Sequence, residues 1–184
     1  VRQAVAFSID REKMISDLIG GRGVPMEGMI PLDSWAYAPE IAGYTKDLAR
    51  AGQLLDQAGW LPGQGGWRYR DGKRLSFQLT FREDYPIYQH LAALIKESLA
   101  LVGIEVSLDP RPWNELLLDC VQAGDFELLL LGLSLDPDPS VALYSSNSIS
   151  RGMNLGGYTS STLESCLSID VMTADAESRQ RAYG

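Results

Sequence analysis

The sequence is poor in the residues that build metal centres and disulfide frameworks. Its 184 residues include one histidine, His90, and two widely separated cysteines, Cys120 and Cys166. No Cys-x-x-Cys or His-x-x-x-His spacing occurs, so no metal site is expected. Both cysteines fall among apolar residues of predicted helices, which points to buried thiols, while a disulfide cannot be argued from spacing. Basic charge is scarce as well. Sixteen Lys and Arg stand against 24 Asp and Glu, a net charge of −8. With no basic stripe to neutralise phosphates, nucleic acid is not an expected partner. No apolar run approaches the ~18 residues that cross a bilayer. The Gly-rich "PGQGG" is followed by neither Lys-Ser nor Lys-Thr and opens no helix, so it reads as a connector rather than a phosphate loop. No Ser or Cys shares a recognisable motif with the lone His90, which reads as exposed on its helix. Nucleophilic catalysis therefore has no support, and no cofactor is implied.

What is present reads as alternating helices and strands. Helices are expected over residues 2–7 and 10–19, the second capped by Asp10 and stopped by Gly20-Gly21. Residues 23–44 form a long Gly/Pro loop whose large side chains, Met26, Met29, Ile30, Trp35 and Tyr37, argue for order. A helix then runs from a Thr45 cap to Gly59. A turn-rich connection follows, with a hairpin turn at Asp71-Gly72. The strand 75–81 alternates, with Leu75, Phe77, Leu79 and Phe81 on one face. Next come an amphipathic helix over about 86–102, the short strand "IEVSLDP", a helix opened by Pro112 and closed by Gly124, and a further strand. Glu83-Asp84 reads as a solvated strand end. A last helix is expected from about Ser160 to Val171, with another starting near Asp175. Strand–helix–strand–helix–strand predicts an α/β fold, a parallel or mixed sheet with helices on both faces. Ligands of such sheets sit beyond the carboxyl ends of the strands. The chain opens on a helical pattern with neither initiating Met nor signal peptide and stops inside another, so a piece of a longer protein is expected.

One stretch concentrates the chemistry. "ELLLLGLSLDPDPS" begins as a strand covered on both faces and is stopped by Pro137 and Pro139, which have no N–H to give a ladder. It delivers two carboxylates, Asp136 and Asp138, to a strand end. Paired carboxylates suit acid–base chemistry, but Asp-Pro-Asp-Pro is also a good turn. Trp113, just after Pro112, reads as either core or cleft wall.

Six segments, in order, resemble one family. They are "VRQAVAFSIDREKMI", "GGRGVPMEGMIPLDSWAY", "ARAGQLLDQAGW", "LALVGIEVSL", "GDFELLLLGLSLDPDP", and "MNLGGYTSSTLESCL" with "TADAESRQRAY". Together they look like the carboxyl-terminal lobe of the extracytoplasmic solute-binding proteins of peptide- and nickel-type ABC importers. The resemblance implies that residues 1–184 form a single α/β lobe of a type II periplasmic-binding-protein-like fold, one of two that close over a ligand. It implies delivery of a peptide to the transmembrane subunits of an ABC permease. The location implied is periplasmic or that of a cell-surface lipoprotein, held at the membrane only through an anchor or the permease. Matching segment to segment, Gly132 and Ser134 would pair with the peptide backbone, and Asp136 would meet the peptide α-ammonium, with Asp138 as second choice. Trp113 would be the cleft tryptophan. Leu133 stands where many members carry Trp, which leaves nickel chelates, sugars and opines as alternative ligands. A hydrolase using Asp136 and Asp138 is the alternative of another class.

Overall fold

The computed structural model describes residues 1–26, 28, 30–37, 43–135, 141–151, 153–172 and 178. The chain divides into two units. The first comprises Val1–Pro25, Tyr44–Leu116 and Phe126–Leu131; the second comprises Met26–Gly43, Leu117–Asp125 and Gly132–Gly184.

The first unit opens with helices α1 (Arg2–Ser8) and α2 (Arg11–Ile19). Asp10 caps α2 by accepting from Lys13 N, and Gly20 ends it, as expected. Helix α3 (Leu48–Gln57) starts later than expected. Asp47 rather than Thr45 is its cap, accepting from Arg50 N at 2.8 Å. The turn-rich connection is a three-stranded antiparallel meander of β1 (Leu61–Pro62), β2 (Arg68–Arg70) and β3 (Lys73–Arg74). Its tight turn is the expected Asp71-Gly72. Both residues have positive φ, 53° and 74°, which matches the twist of the flanking strands.

The main sheet holds β4 (Ser76–Arg82), β5 (Glu105–Arg111) and β6 (Leu128–Leu130), in the order β5-β4-β6 and all parallel. Parallel and antiparallel pairing are thus both present, but in separate sheets. Helix α4 (Pro86–Ala100) joins β4 to β5. Alternation along β4 sends Phe77, Leu79 and Phe81 to one face, in register with Val106, Leu128 and Leu130. Against that face lie Ala4 of α1, Ala51 and Leu55 of α3, and Ala92 and Leu99 of α4. Leu55 and Leu99 are fully buried, each contributing ~1.5–3 kcal/mol by burial. β6 departs from expectation. Its three leucines are half-buried rather than covered on both faces, because β6 pairs with β4 alone and lies at an edge of the described sheet. Pro110 lies inside β5, and it is tolerated because β5 is the other edge.

One buried cation ties these pieces together. The Arg68 guanidinium donates to the carbonyl oxygens of Val102 (2.8 Å) and Trp60 (2.7 Å) and to the Asp56 carboxylate. Its backbone N donates to Gly103 O at 2.9 Å, and its carbonyl accepts from Leu75 N at 2.8 Å.

In the second unit, the expected single helix after Pro112 is instead one α-helical turn, α5 (Trp113–Glu115), continued by a π-helical segment, Leu116–Gln122; only Leu117 onward belongs to this unit. Cys120 is fully buried there and Cys166 half-buried. Asn154, of the "MNLGGY" segment, is buried. Its amide nitrogen donates to the carbonyls of Tyr144 (2.9 Å), Tyr158 (2.9 Å) and Ser145 (3.3 Å). Helix α6 (Ser161–Met172) agrees with expectation. Its Glu164 accepts from Ser146 N at 2.6 Å, and that bond first, with help from the Ser145 hydroxyl, holds the carboxyl below its ordinary pKa. The helix expected near Asp175 lies outside the described residues.

Replacing Arg68 by Met keeps much of the apolar volume but leaves the carbonyls of Trp60 and Val102 without their donor. In urea unfolding of the intact protein, Arg68→Met should cost roughly 2–4 kcal/mol. A loss under 1 kcal/mol would show that the guanidinium is not what joins meander, helix and sheet.

Candidate functional site

The order β5-β4-β6 contains a reversal. The connection leaving β4 crosses to one side, and the connection leaving β5 returns past β4 to the other. Right-handed crossovers running in opposite directions lie on opposite faces. Helix α4 covers the apolar face, and α5 begins over the other, where Arg82 contacts Trp113. The chain thus leaves β4 and β5 toward opposite faces and diverges beyond their carboxyl ends. In an open α/β sheet that divergence opens the ligand crevice.

The register fixes what stands there. Arg82 at the end of β4 pairs with Arg111 at the end of β5, and Glu83 N donates to Arg111 O at 3.0 Å. Each arginine has a carboxylate. Arg82 grips Asp84 through two nitrogens, at 2.5 and 2.8 Å. Arg111 Nε donates to Asp109 Oδ2 at 2.7 Å, and the buried Thr80 hydroxyl donates to the same oxygen at 3.0 Å. The Arg82 guanidinium also lies over two rings, 4.5 Å from the centroid of Tyr85 and 4.9 Å from that of Trp113. Tyr85 leans on Tyr88 at 5.8 Å. Pro86 starts α4 directly after Tyr85, and Pro112 precedes Trp113, so both strands end sharply and hold their aromatic residue near the strand end.

Of the residues named from sequence, Trp113 stands beside Arg82 at these strand ends, with 39% of its surface exposed. Gly132 and Ser134 follow β6 in exposed, irregular chain of the second unit, and their backbone groups have no partner among the described residues. Asp136 and Asp138 lie outside the described residues. Arg82, Tyr85 and Arg111 were not singled out from sequence, and Asp84, read as a solvated strand end, is the carboxylate that holds Arg82. The available signal was the pair of strand ends "FREDYP" and "DPRPW", which carry Arg, Asp, Pro and an aromatic residue in the same short span. Among the described residues no cluster of His, Cys, Asp and Glu could hold a metal ion, and no helix is long and apolar enough to cross a membrane. A cavity of about 590 Å³, lined by residues that include Arg74, Phe77 and Leu128, lies at the opposite, amino-terminal end of the strands, away from the divergence of the crossovers.

The Arg82 guanidinium, chiefly through its hydrogen bonds, holds the Asp84 carboxyl below the ordinary aspartate value of 3.8. A depressed carboxylate keeps its pairing at pH above its ordinary value and loses it as the pH falls through the lowered one. The Asp84 carboxyl carbon followed by NMR should therefore titrate with a midpoint under 3.8, moving back up in Arg82→Met. A midpoint of 3.8 or higher in the wild type would contradict the pairing.

Comparison with known proteins places the chain in a family. The family model of bacterial extracellular solute-binding proteins, family 5 Middle, matches residues 1–154. Protein XP55 of Streptomyces lividans is 31% identical over 185 residues, which cover all of this chain and 34% of that protein. The oligopeptide-binding protein AppA of Bacillus subtilis is 28% identical over 189 residues, covering all of this chain and 35% of AppA. The structure of AppA from Bacillus subtilis in complex with a nonapeptide superposes with a TM-score of 0.88 at 27% identity, over 99% of this chain and 37% of that one. The chain thus spans about a third of the length of the curated relatives it matches. The fold is that of the type II periplasmic-binding proteins, and the chain belongs to the bacterial extracellular solute-binding proteins, family 5.

Proposed function

We propose that this chain is one lobe of a two-lobed, extracytoplasmic solute-binding protein that takes up peptides in a cleft and delivers them to an ABC permease. The observation that carries the reading is the likeness, at 27% identity and across 99% of the chain, to AppA in complex with a nonapeptide. Members of the family are binding proteins, not enzymes. The reading follows them: this chain has no nucleophile–base pair in any recognisable motif, and its paired strand-end carboxylates Asp84 and Asp109 are each taken by an arginine. Location outside the cytoplasm, as a periplasmic or cell-surface lipoprotein, is part of the same proposal.

The peptide would lie extended past the end of β6. Gly132 and Ser134 offer backbone groups with no partner among the described residues, and strand addition uses such groups to bind main chain without reading side chains. Asp136, three residues beyond Leu133, would take the peptide α-ammonium, with Asp138 second. A charge-assisted hydrogen bond of that kind contributes ~1.5–3 kcal/mol.

Calorimetry on the intact protein with free and amino-acetylated tripeptides tests this. Asp136→Asn should weaken free tripeptides by roughly 10- to 100-fold, at ~1.4 kcal/mol per decade, and leave the already weak acetylated ones nearly unchanged. Equal affinity of the wild type for both forms would end the ammonium role. The same pattern in Asp138→Asn alone would move that role to Asp138.

A further inference from the structure

We propose that Arg82 is a positioning residue: it holds Trp113 and Tyr85 as a fixed apolar wall on which an aromatic or large aliphatic side chain of the bound peptide packs. The inference rests on the peptide-binding reading above. Its geometry comes from the first unit alone.

A guanidinium is flat, and it donates from its edge. Asp84 takes that edge through two nitrogens, at 2.5 and 2.8 Å, which leaves both flat faces for rings. The guanidinium lies over the rings of Tyr85 and Trp113, 4.5 and 4.9 Å from their centroids. The Arg82 backbone is itself held, as the last residue of β4 in register with Arg111. Cation, carboxylate and two rings from two diverging segments thus make one contact cluster at the strand ends.

Two further observations say what the stack is for. Trp113 is still 39% exposed and Tyr85 48%, although the guanidinium covers one face of each ring. The remaining apolar surface is presented outward, and a large ring held in one orientation binds without first losing rotamer freedom. Both strand-end cations, Arg82 and Arg111, already have a carboxylate within 2.8 Å. Both arginines are thus engaged and not free to take a charged end of the ligand, which leaves the exposed ring surface for an uncharged side chain.

The test is a double-mutant cycle on the intact protein, read by calorimetry with two probes, alanyl-phenylalanyl-alanine and trialanine. The wild type should bind the phenylalanine peptide about tenfold tighter. Trp113→Ala should remove that preference. Arg82→Met should cut it roughly fivefold, and the same change should add nothing once Trp113 is Ala, because Arg82 acts through the ring. A fluorine resonance from 5-fluorotryptophan at 113, assigned with Trp113→Phe, should shift in Arg82→Met. It should shift also in Asp84→Asn, which releases the guanidinium without altering Arg82. If Trp113→Ala removes the preference while both Arg82→Met and Asp84→Asn leave preference and resonance unchanged, the positioning role is overturned and peptide binding stands. Equal binding of the two tripeptides by the wild type overturns the apolar wall. Binding of neither tripeptide by the wild type overturns the peptide reading itself.

Discussion

The hydrogen bonds of one buried guanidinium, that of Arg68, set the frame on which the rest of the first unit is hung. It reaches the end of α3 through Asp56 and the Trp60 carbonyl, and the turn between α4 and β5 through the Val102 carbonyl. Only a planar fork with several donors satisfies partners lying in different directions at once, so a lysine could not replace it. The same demand explains Gly103. Its φ is +81°, and a Cβ there would stand 2.8 Å from Gly66 O and 2.9 Å from Arg68 Cγ. The meander and the start of β5 approach so closely that no side chain fits between them.

That junction has consequences at the far end of the sheet. Arg68 O accepts from Leu75 N, and Leu75 O accepts from Glu105 N at 3.0 Å, so the chain is held just before β4 and at the first residue of β5. Six residues on from the paired Ser76 and Glu105, the parallel register brings Arg82 level with Arg111. Arg68 and Arg82 thus act differently. Arg68 is buried, and it joins elements by donating to carbonyl oxygens that would otherwise lack a donor. Arg82 is partly exposed, paired with a carboxylate and set over rings, where it shapes a surface.

The second unit shows a sequence motif acquiring a physical reason. Asn154 in "MNLGGY" is buried, and its amide nitrogen reaches three carbonyls, two of them just before the 3-10 segment Ser146–Arg151 and one at Tyr158. Glu164 closes the same segment from α6 by accepting from Ser146 N. A short, irregular stretch keeps its backbone satisfied through these two side chains, as buried backbone groups require. The motif is thus first a matter of local architecture.

Taken alone, the sequence determined what depends on near neighbours along the chain. The alternation of Phe77, Leu79 and Phe81, the helical stripe of α4, the Asp10 cap and the Asp71-Gly72 turn are local matters of backbone geometry and patterning, and all were legible. The ordered segments also sufficed to identify the family. What the sequence could not determine was decided by contacts between distant residues. That β6 is a half-buried edge depends on which strand it pairs with. That the helix after Pro112 widens into a π-helical segment, with Leu116 and Cys120 both fully buried, is marked by nothing in its apolar pattern. Arg68 read as part of a turn-rich connection, because its partners at Trp60 and Val102 are backbone carbonyls that no side-chain pattern marks. Arg82 and Trp113 are 31 positions apart, and only the parallel register of β4 and β5, with their crossovers diverging to opposite faces, brings a strand-end cation and a helix-start ring to stacking distance.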